Sequence, residues 1–419
     1  MSTSDKLAAH QFSLPVETWS EIFEYAVYVP SLVDADNTDR DDRDAFIYPN
    51  SATPIIPSSL VGLSDSLQPT LSTRSSLALV CKAWHVMTTP LLYRLLRIRS
   101  FEDMYALAKT FESSRKQSSL HLGTFVRHLR IESPFALTAM PAPDLVFSCL
   151  TRLKILTLNF PYTAMHNKFL LIPLSHCRQT LRRIDISNLH DGILESDRQG
   201  NSLVTMLKSL PHLRHLTVCS ETGSMACPRH LPRLSELSSF GAFDYRCPYH
   251  HLDNHPFPSL RHVDIQLPII KRGCVRHLLE LQGRLLTSVF LSTFPICRFN
   301  VGPLHTACSL LKDHCPNLKT LVMMVGPFGS YQHLILDNFP AVTQMGLLSP
   351  RFERNEPERF YPWLECMGTI PSIRVLRLMD RWISGSVRAA IESDEKSVRK
   401  YLKECRYRLE DYDGDAILF

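Results

Sequence analysis

Residues 213–218 read LRHLTV, with apolar side chains at the first, fourth and sixth places and polar ones between. One such hexamer decides nothing, because a short apolar run suits a helix and a strand alike. Its recurrence decides the fold. The spacing returns as YRLLRI at 93, VRHLRI at 126, LKILTL at 153, LRRIDI at 181, LSELSS (imperfect) at 234, LRHVDI at 260, LTSVFL at 286, LKTLVM at 318, VTQMGL at 342 and IRVLRL at 373. Successive copies start 33, 27, 28, 32, 21, 26, 26, 32, 24 and 31 residues apart, a mean of 28. A proline stands two residues ahead of six of them, at Pro211, Pro232, Pro258, Pro316, Pro340 and Pro371. Such a proline ends a helix and feeds an extended segment.

A period of this length with apolar residues at places one, four and six resembles a degenerate leucine-rich repeat. The resemblance implies an α/β solenoid with a parallel sheet on the concave side and helices on the convex side. Leu203–Leu210, Val275–Leu281 and Ala307–Lys312 are expected among those helices. Places four and six point into the core, and places three, five and seven face the other way, following the two-residue period of a strand. On that open face the early repeats offer Arg97, Arg99, His128, Arg130, Arg183, His215 and His262 against Glu132, Asp185, Glu236 and Asp264. The last four offer Ser288, Phe290, Thr320, Val322, Met324, Gln344, Leu348, Val375 and Met379, with only Arg377 charged. A basic-leaning half and an apolar half are therefore expected. Contiguous exposed apolar surface calls for a partner. Arg97, His128, Arg130, Arg183, His215, His262, Phe290, Val322 and Met324 are the target-binding candidates.

Ahead of the repeats, LPVETWSEIF opens at Leu14. Pro15 suits a first helical turn, Glu17 suits the positive end of the helix dipole, and Val16, Trp19, Ile22, Phe23 and Ala26 share a face. A second helix is expected from Ser75 or Ser76 through Leu77, Val80, Cys81 and Trp84, and a third, short one through Val86 to Pro90. Three short helices cannot bury their apolar faces alone. Together LPVETWSEIF and LALVCKAWHVMTTPLLYRLL resemble an F-box in two blocks, interrupted by a segment at about 31–73 that most members of that family lack. The resemblance implies docking of a Skp-type adaptor, and through it a cullin scaffold, by Leu14, Pro15, Ile22, Phe23, Leu77, Val80, Cys81 and Trp84. The rest of the chain would hold a protein target, making this the substrate-recognition subunit of an SCF-type cullin–RING ubiquitin ligase and no enzyme itself. The expected organisation is a flexible 1–11, an F-box-like module at 12–92, a solenoid at 93–383, and a C-terminal helix (Asp394–Leu409) with a tail capping the solenoid at 384–419. The alternative is an interaction scaffold whose helices only cap the repeats.

Other chemistry is thinly represented. DADNTDRDDRD, residues 34–44, has Asp39 and Ala45 where an EF-hand loop needs Gly and Glu, and reads as a solvated insertion. Cys227-x-x-His230 and Cys247-x-x-His250, with His251 and His255 nearby, have a four-ligand zinc spacing but fall across a repeat, so no metal is expected there. Cys81 reads as a packed thiol on an apolar helix face, not a nucleophile. Phosphate loops, hydrolase elbows and zincin motifs do not occur, and no cofactor is expected. The 419 residues are 44% hydrophobic with net charge +5, too mild a balance to point to nucleic acid. Low glycine (15) beside high proline (28) suits many short elements with hard stops. No run of about 20 residues is apolar enough to span a bilayer and none near Met1 reads as a secretory leader, so the cytoplasm or nucleus is expected. There the 12 cysteines would stay reduced and serve as small buried hydrophobes.

Overall fold

The computed structural model describes residues 14–26, 72–117, 121–138, 141–162, 164–189, 203–219, 234–243, 257–266, 273–292, 301–324, 339–348, 361–379, 381–392, 402, 405–411 and 414–417. The acidic run at 34–44, the segment to 71 and the Cys227–His255 cluster lie outside these residues.

Among the described residues three helices come first: α1 (Val16–Ala26), α2 (residues 72–80) and α3 (Lys82–Arg94). Twelve strands follow: β1 (Leu95–Ile98), β2 (His128–Ile131), β3 (Ile155–Tyr162), β4 (Arg183–Leu189), β5 (His215–Cys219), β6 (Ser239–Phe243), β7 (His262–Gln266), β8 (Ser288–Ser292), β9 (Thr320–Met324), β10 (Gln344–Leu348), β11 (Val375–Leu378) and β12 (Arg408–Glu410). They form one sheet in chain order, every neighbouring pair parallel. The helices between them include α4 (Phe101–Gln117), α5 (Phe135–Thr138), α6 (Ala142–Cys149), α7 (Ala164–Cys177), α8 (Leu203–Lys208), α9 (Gly273–Gln282), α10 (Val301–His314), α11 (Tyr361–Gly368) and α12 (Arg381–Glu392). This is a mixed α/β chain with solenoid-like topology. No helix among the described residues is long and apolar enough to cross a membrane.

The repeated hexamer shows why each strand starts where it does. The N–H of the first apolar residue donates to a carbonyl three residues back, as in Leu153 to Leu150, Leu213 to Leu210, Leu260 to Phe257, Leu318 to Cys315 and Ile373 to Ile370, at 3.1–3.3 Å. That tight turn aims the chain into the sheet. The second and third N–H groups then reach the carbonyl of the residue just before the preceding strand: Arg214 and His215 bond Arg182 O, and Arg261 and His262 bond Ser238 O. Places four and six enter one core that runs the length of the array. Leu129, Leu156, Ile184, Leu216, Val263, Val289, Leu321, Met345 and Leu376 are fully or almost fully enclosed there beside helix residues such as Met104, Phe147, Leu174, Leu278 and Leu311. Burying each such side chain contributes about 1.5–3 kcal/mol before the entropy of ordering is subtracted.

Several expectations need correction. The imperfect copy was framed three residues early. Leu237 N–H bonds Leu234 O and Ser238 N–H bonds Arg214 O, so Leu237 takes the first place, with Phe240 and Ala242 as the fourth and sixth. Glu236 therefore lies in the turn, off the open face. Pro232 stands five residues ahead of this copy, so five copies keep the leading proline. Tyr93 is the last turn of a helix, since α3 runs unbroken to Arg94 with Pro90 inside it. Thr88 and Thr89 hydroxyls bond the Trp84 and His85 carbonyls in that helix, while Pro90 can give no N–H to Val86. Leu409, expected at the end of a helix, lies on β12, which lengthens the sheet past 383. There Glu410 pairs antiparallel with Ala416, and Ile417 N–H bonds Leu409 O. The turn between them needs a positive φ of 90° at Gly414.

Candidate protein-interaction surfaces

The N-terminal helices meet through aromatic rings. Trp19 stacks on Phe23 (centroids 5.6 Å apart), and Trp84 lies 5.1 Å from Trp19 and edge-on to Phe23 at 4.7 Å. With Leu77, Met87 and Leu91 they form a small core separate from the main one. Of the eight residues that the F-box resemblance assigns to the adaptor, Phe23 is buried and Leu77 and Trp84 partly so, all within this core. Leu14, Pro15, Ile22, Val80 and Cys81 are exposed. Val16 and Val86, expected only as helix residues, are exposed as well, and so are Tyr25 and Leu79, which sequence reading did not single out. Among the described residues, seven of the ten exposed large apolar side chains lie on α1–α3 or just before α1, with Tyr25 at 86% and Leu79 at 84%. The helical period carried the signal for Leu79: it points away from Leu77 and Ala78, which turn inward.

Cys81 departs from its expected place. It caps α3 in an extended conformation, and its Sγ accepts the Trp84 N–H at 3.5 Å. The helix therefore breaks between Val80 and Lys82, Cys81 is exposed, and the burial that would make it an inert packed thiol is absent. That description fits Cys177, Cys308, Cys315 and Cys366 instead, where burial pushes each thiol up to about 12.

The open face of the sheet holds the target-binding candidates other than Met324 in two rungs. The fifth place runs Arg97, Arg130, Thr157, Asp185, Thr217, Gly241, Asp264, Phe290, Val322, Gly346, Arg377 and Glu410. The third place includes His128, Arg183, His215 and His262. Glu132 Oε1 lies 2.8 Å from Arg97 Nε and 2.7 Å from Arg130 Nε, an electrostatic contact off the line of the N–H bonds. His128 Nε2 is 3.0 Å from Thr157 Oγ1, whose hydroxyl donates to Asp185 at 3.4 Å, and Arg183 Nε donates to the same carboxylate at 3.0 Å. His262 Nε2 sits 2.7 Å from Asp264 Oδ1. Burial raises the Asp264 pKa against the pull of His262. Burial, then the nearby Arg183, pushes His128 and His215 down to about 3, so both rings are neutral at pH 7.

The face is thus neither basic nor openly apolar, which corrects both halves of the expectation. Neighbouring strands lie about 4.8 Å apart, so side chains on one rung fill or neutralise each other. Arg130 and Arg183 are buried in ion pairs. Phe290 and Val322 are buried with Leu348 and Met379 in a second, smaller core. Gly346 permits that closure, since a Cβ there would stand 3.0 Å from Val322 and 3.2 Å from Met379. Arg97, His128, His215 and His262 stay partly accessible, and Met324 lies opposite Leu348 in the register.

Among the described residues no group of three or more His, Cys, Asp and Glu could hold a metal ion. The chain matches no family model, and a search of curated proteins finds no match either.

Proposed function

We propose that this chain is the substrate-recognition subunit of an SCF-type cullin–RING ubiquitin ligase. α1–α3 would dock a Skp-type adaptor, and the array would hold a protein target near the ubiquitin-charged enzyme. Rate would then come from proximity, with no bond chemistry in this chain. The observation that carries the reading is the concentration of exposed apolar side chains on α1–α3, over a core too small to have hidden them. The two F-box-like blocks, far apart in sequence, meet at the Trp19–Phe23–Trp84 cluster.

The test is binding of a purified Skp-type adaptor to wild type and to a Leu14→Ser/Leu79→Ser/Val80→Ser variant. These three residues are exposed, so the variant should keep its melting temperature and lose at least about tenfold in affinity. Equal binding by the variant, or no binding by wild type, removes the reading. The scaffold alternative has its own support, because α3 runs into β1 with no intervening residue and so caps the first strand. It predicts no adaptor binding at all.

A further inference from the structure

Across β2–β7 several polar groups of the open face bond one another. His128 meets Thr157, Thr157 and Arg183 meet Asp185, and His262 meets Asp264. His215, on β5 between these pairs, meets nothing: both ring nitrogens are closed off from solvent and neither has a hydrogen-bond partner. Its neighbours are spoken for, Arg183 and Asp185 by each other and Asp264 by His262. Beside it on β6, the register places Ser239 and Gly241, the smallest neighbouring pair along these strands. The residue as a whole is only partly buried, so His215 lies at the edge of the open face, and a contact to its covered nitrogens needs a small turn of the ring toward that face. Leaving a polar group enclosed and unbonded costs free energy, a cost that a bound partner would remove.

We propose that His215 is the hydrogen-bonding contact for an extended, uncharged stretch of peptide laid over β4–β7. The proposal rests on reading the array as the target-binding half. A neutral imidazole offers one donor and one acceptor in different directions. A peptide backbone supplies an acceptor and a donor in alternation along one extended strand. The flanking Arg183–Asp185 pair is balanced in charge, His262 holds Asp264, and Arg214 lies nearby. A cationic ligand would meet Arg183, and an anionic one Asp185 and Asp264, so a neutral segment fits best.

The experiment selects binders to the full chain from a displayed peptide library. The best peptide is then resynthesised with single backbone N-methyl groups, which remove one N–H at a time. Wild type should lose about tenfold at one N-methyl position, and His215→Leu should bind the parent peptide about tenfold more weakly and ignore that N-methyl group. The ¹⁵N resonances of the His215 ring should move on peptide addition. Adaptor binding by His215→Leu should be unchanged, so failure of the ligase reading and failure of this one are separable. A flat N-methyl scan, undiminished binding by His215→Leu, no selectable peptide, or a crystal structure with ordered water on both ring nitrogens would each overturn it.

Discussion

Single side chains in this molecule have consequences that can be measured directly. Gln282 ends α9 wholly enclosed, with neither amide atom bonded. Gln282→Met keeps the shape and removes the orphan groups, so urea denaturation should show a gain of about 1–3 kcal/mol. The histidines act through linkage. His128 and His215 titrate near 3 when folded and near 6.5 when unfolded, so between those values the unfolded chain binds more protons. Stability is therefore present above pH 6.5 and is lost as pH falls toward 3, by up to about 1.4 kcal/mol per unit for each ring. Asp264, raised by burial, opposes part of this loss by taking up a proton in the folded state. Denaturation midpoints at pH 7.5 and 5.0 should differ in wild type and draw together in His128→Gln/His215→Gln. Neither feature could be read from sequence. Gln282 follows an ordinary amphipathic pattern, and a histidine's titration depends on which neighbours have already paired.

Strands and helices differ in how plainly the sequence announces them. All eleven strands with a hexamer were legible, because a phase shared over the whole array outweighs any local ambiguity. The register of β6 was not, since Leu234 and Leu237 both fit the first place and Pro232 favoured the wrong one. β12 was missed because Val398, Tyr401, Leu402, Cys405 and Leu409 fall at helical spacing. β12 is held by its pairing to β11, by Leu409 in the main core and by a buried ion pair. Glu410, almost wholly buried, takes Arg377 Nη2 at 2.7 Å and Nε at 2.9 Å, and pairs with Arg408 as well. Glu410→Gln should cost on the order of 2 kcal/mol by removing the buried negative charge that faces the Arg377 and Arg408 guanidinium groups, and Arg377→Met/Glu410→Met should recover most of it. Urea denaturation of the two variants separates pair-breaking from loss of packing. The break at Cys81 also escaped sequence reading, because the run Leu77–Trp84 has no glycine or proline to announce it.

At the scale of the molecule the core of the N-terminal helices stands apart from the much larger core beneath the sheet. The Trp19–Phe23–Trp84 cluster shares no buried member with the core beneath the sheet. Trp84→Ala, a loss of about 3–5 kcal/mol, should therefore melt α1–α3 alone. Hydrogen exchange would show faster labelling at 14–26 and 72–94 with the strands still protected, whereas uniform acceleration would mean that the two cores unfold as one. The strand order has a different kind of consequence. Each strand pairs only with the one before and the one after it in the chain, whatever the length of the connection. A growing chain can thus zip from either end or from the middle, adding a rung whenever the next hexamer arrives and never threading through what is already built. Whole rungs could be gained or lost over evolutionary time without redrawing the sheet.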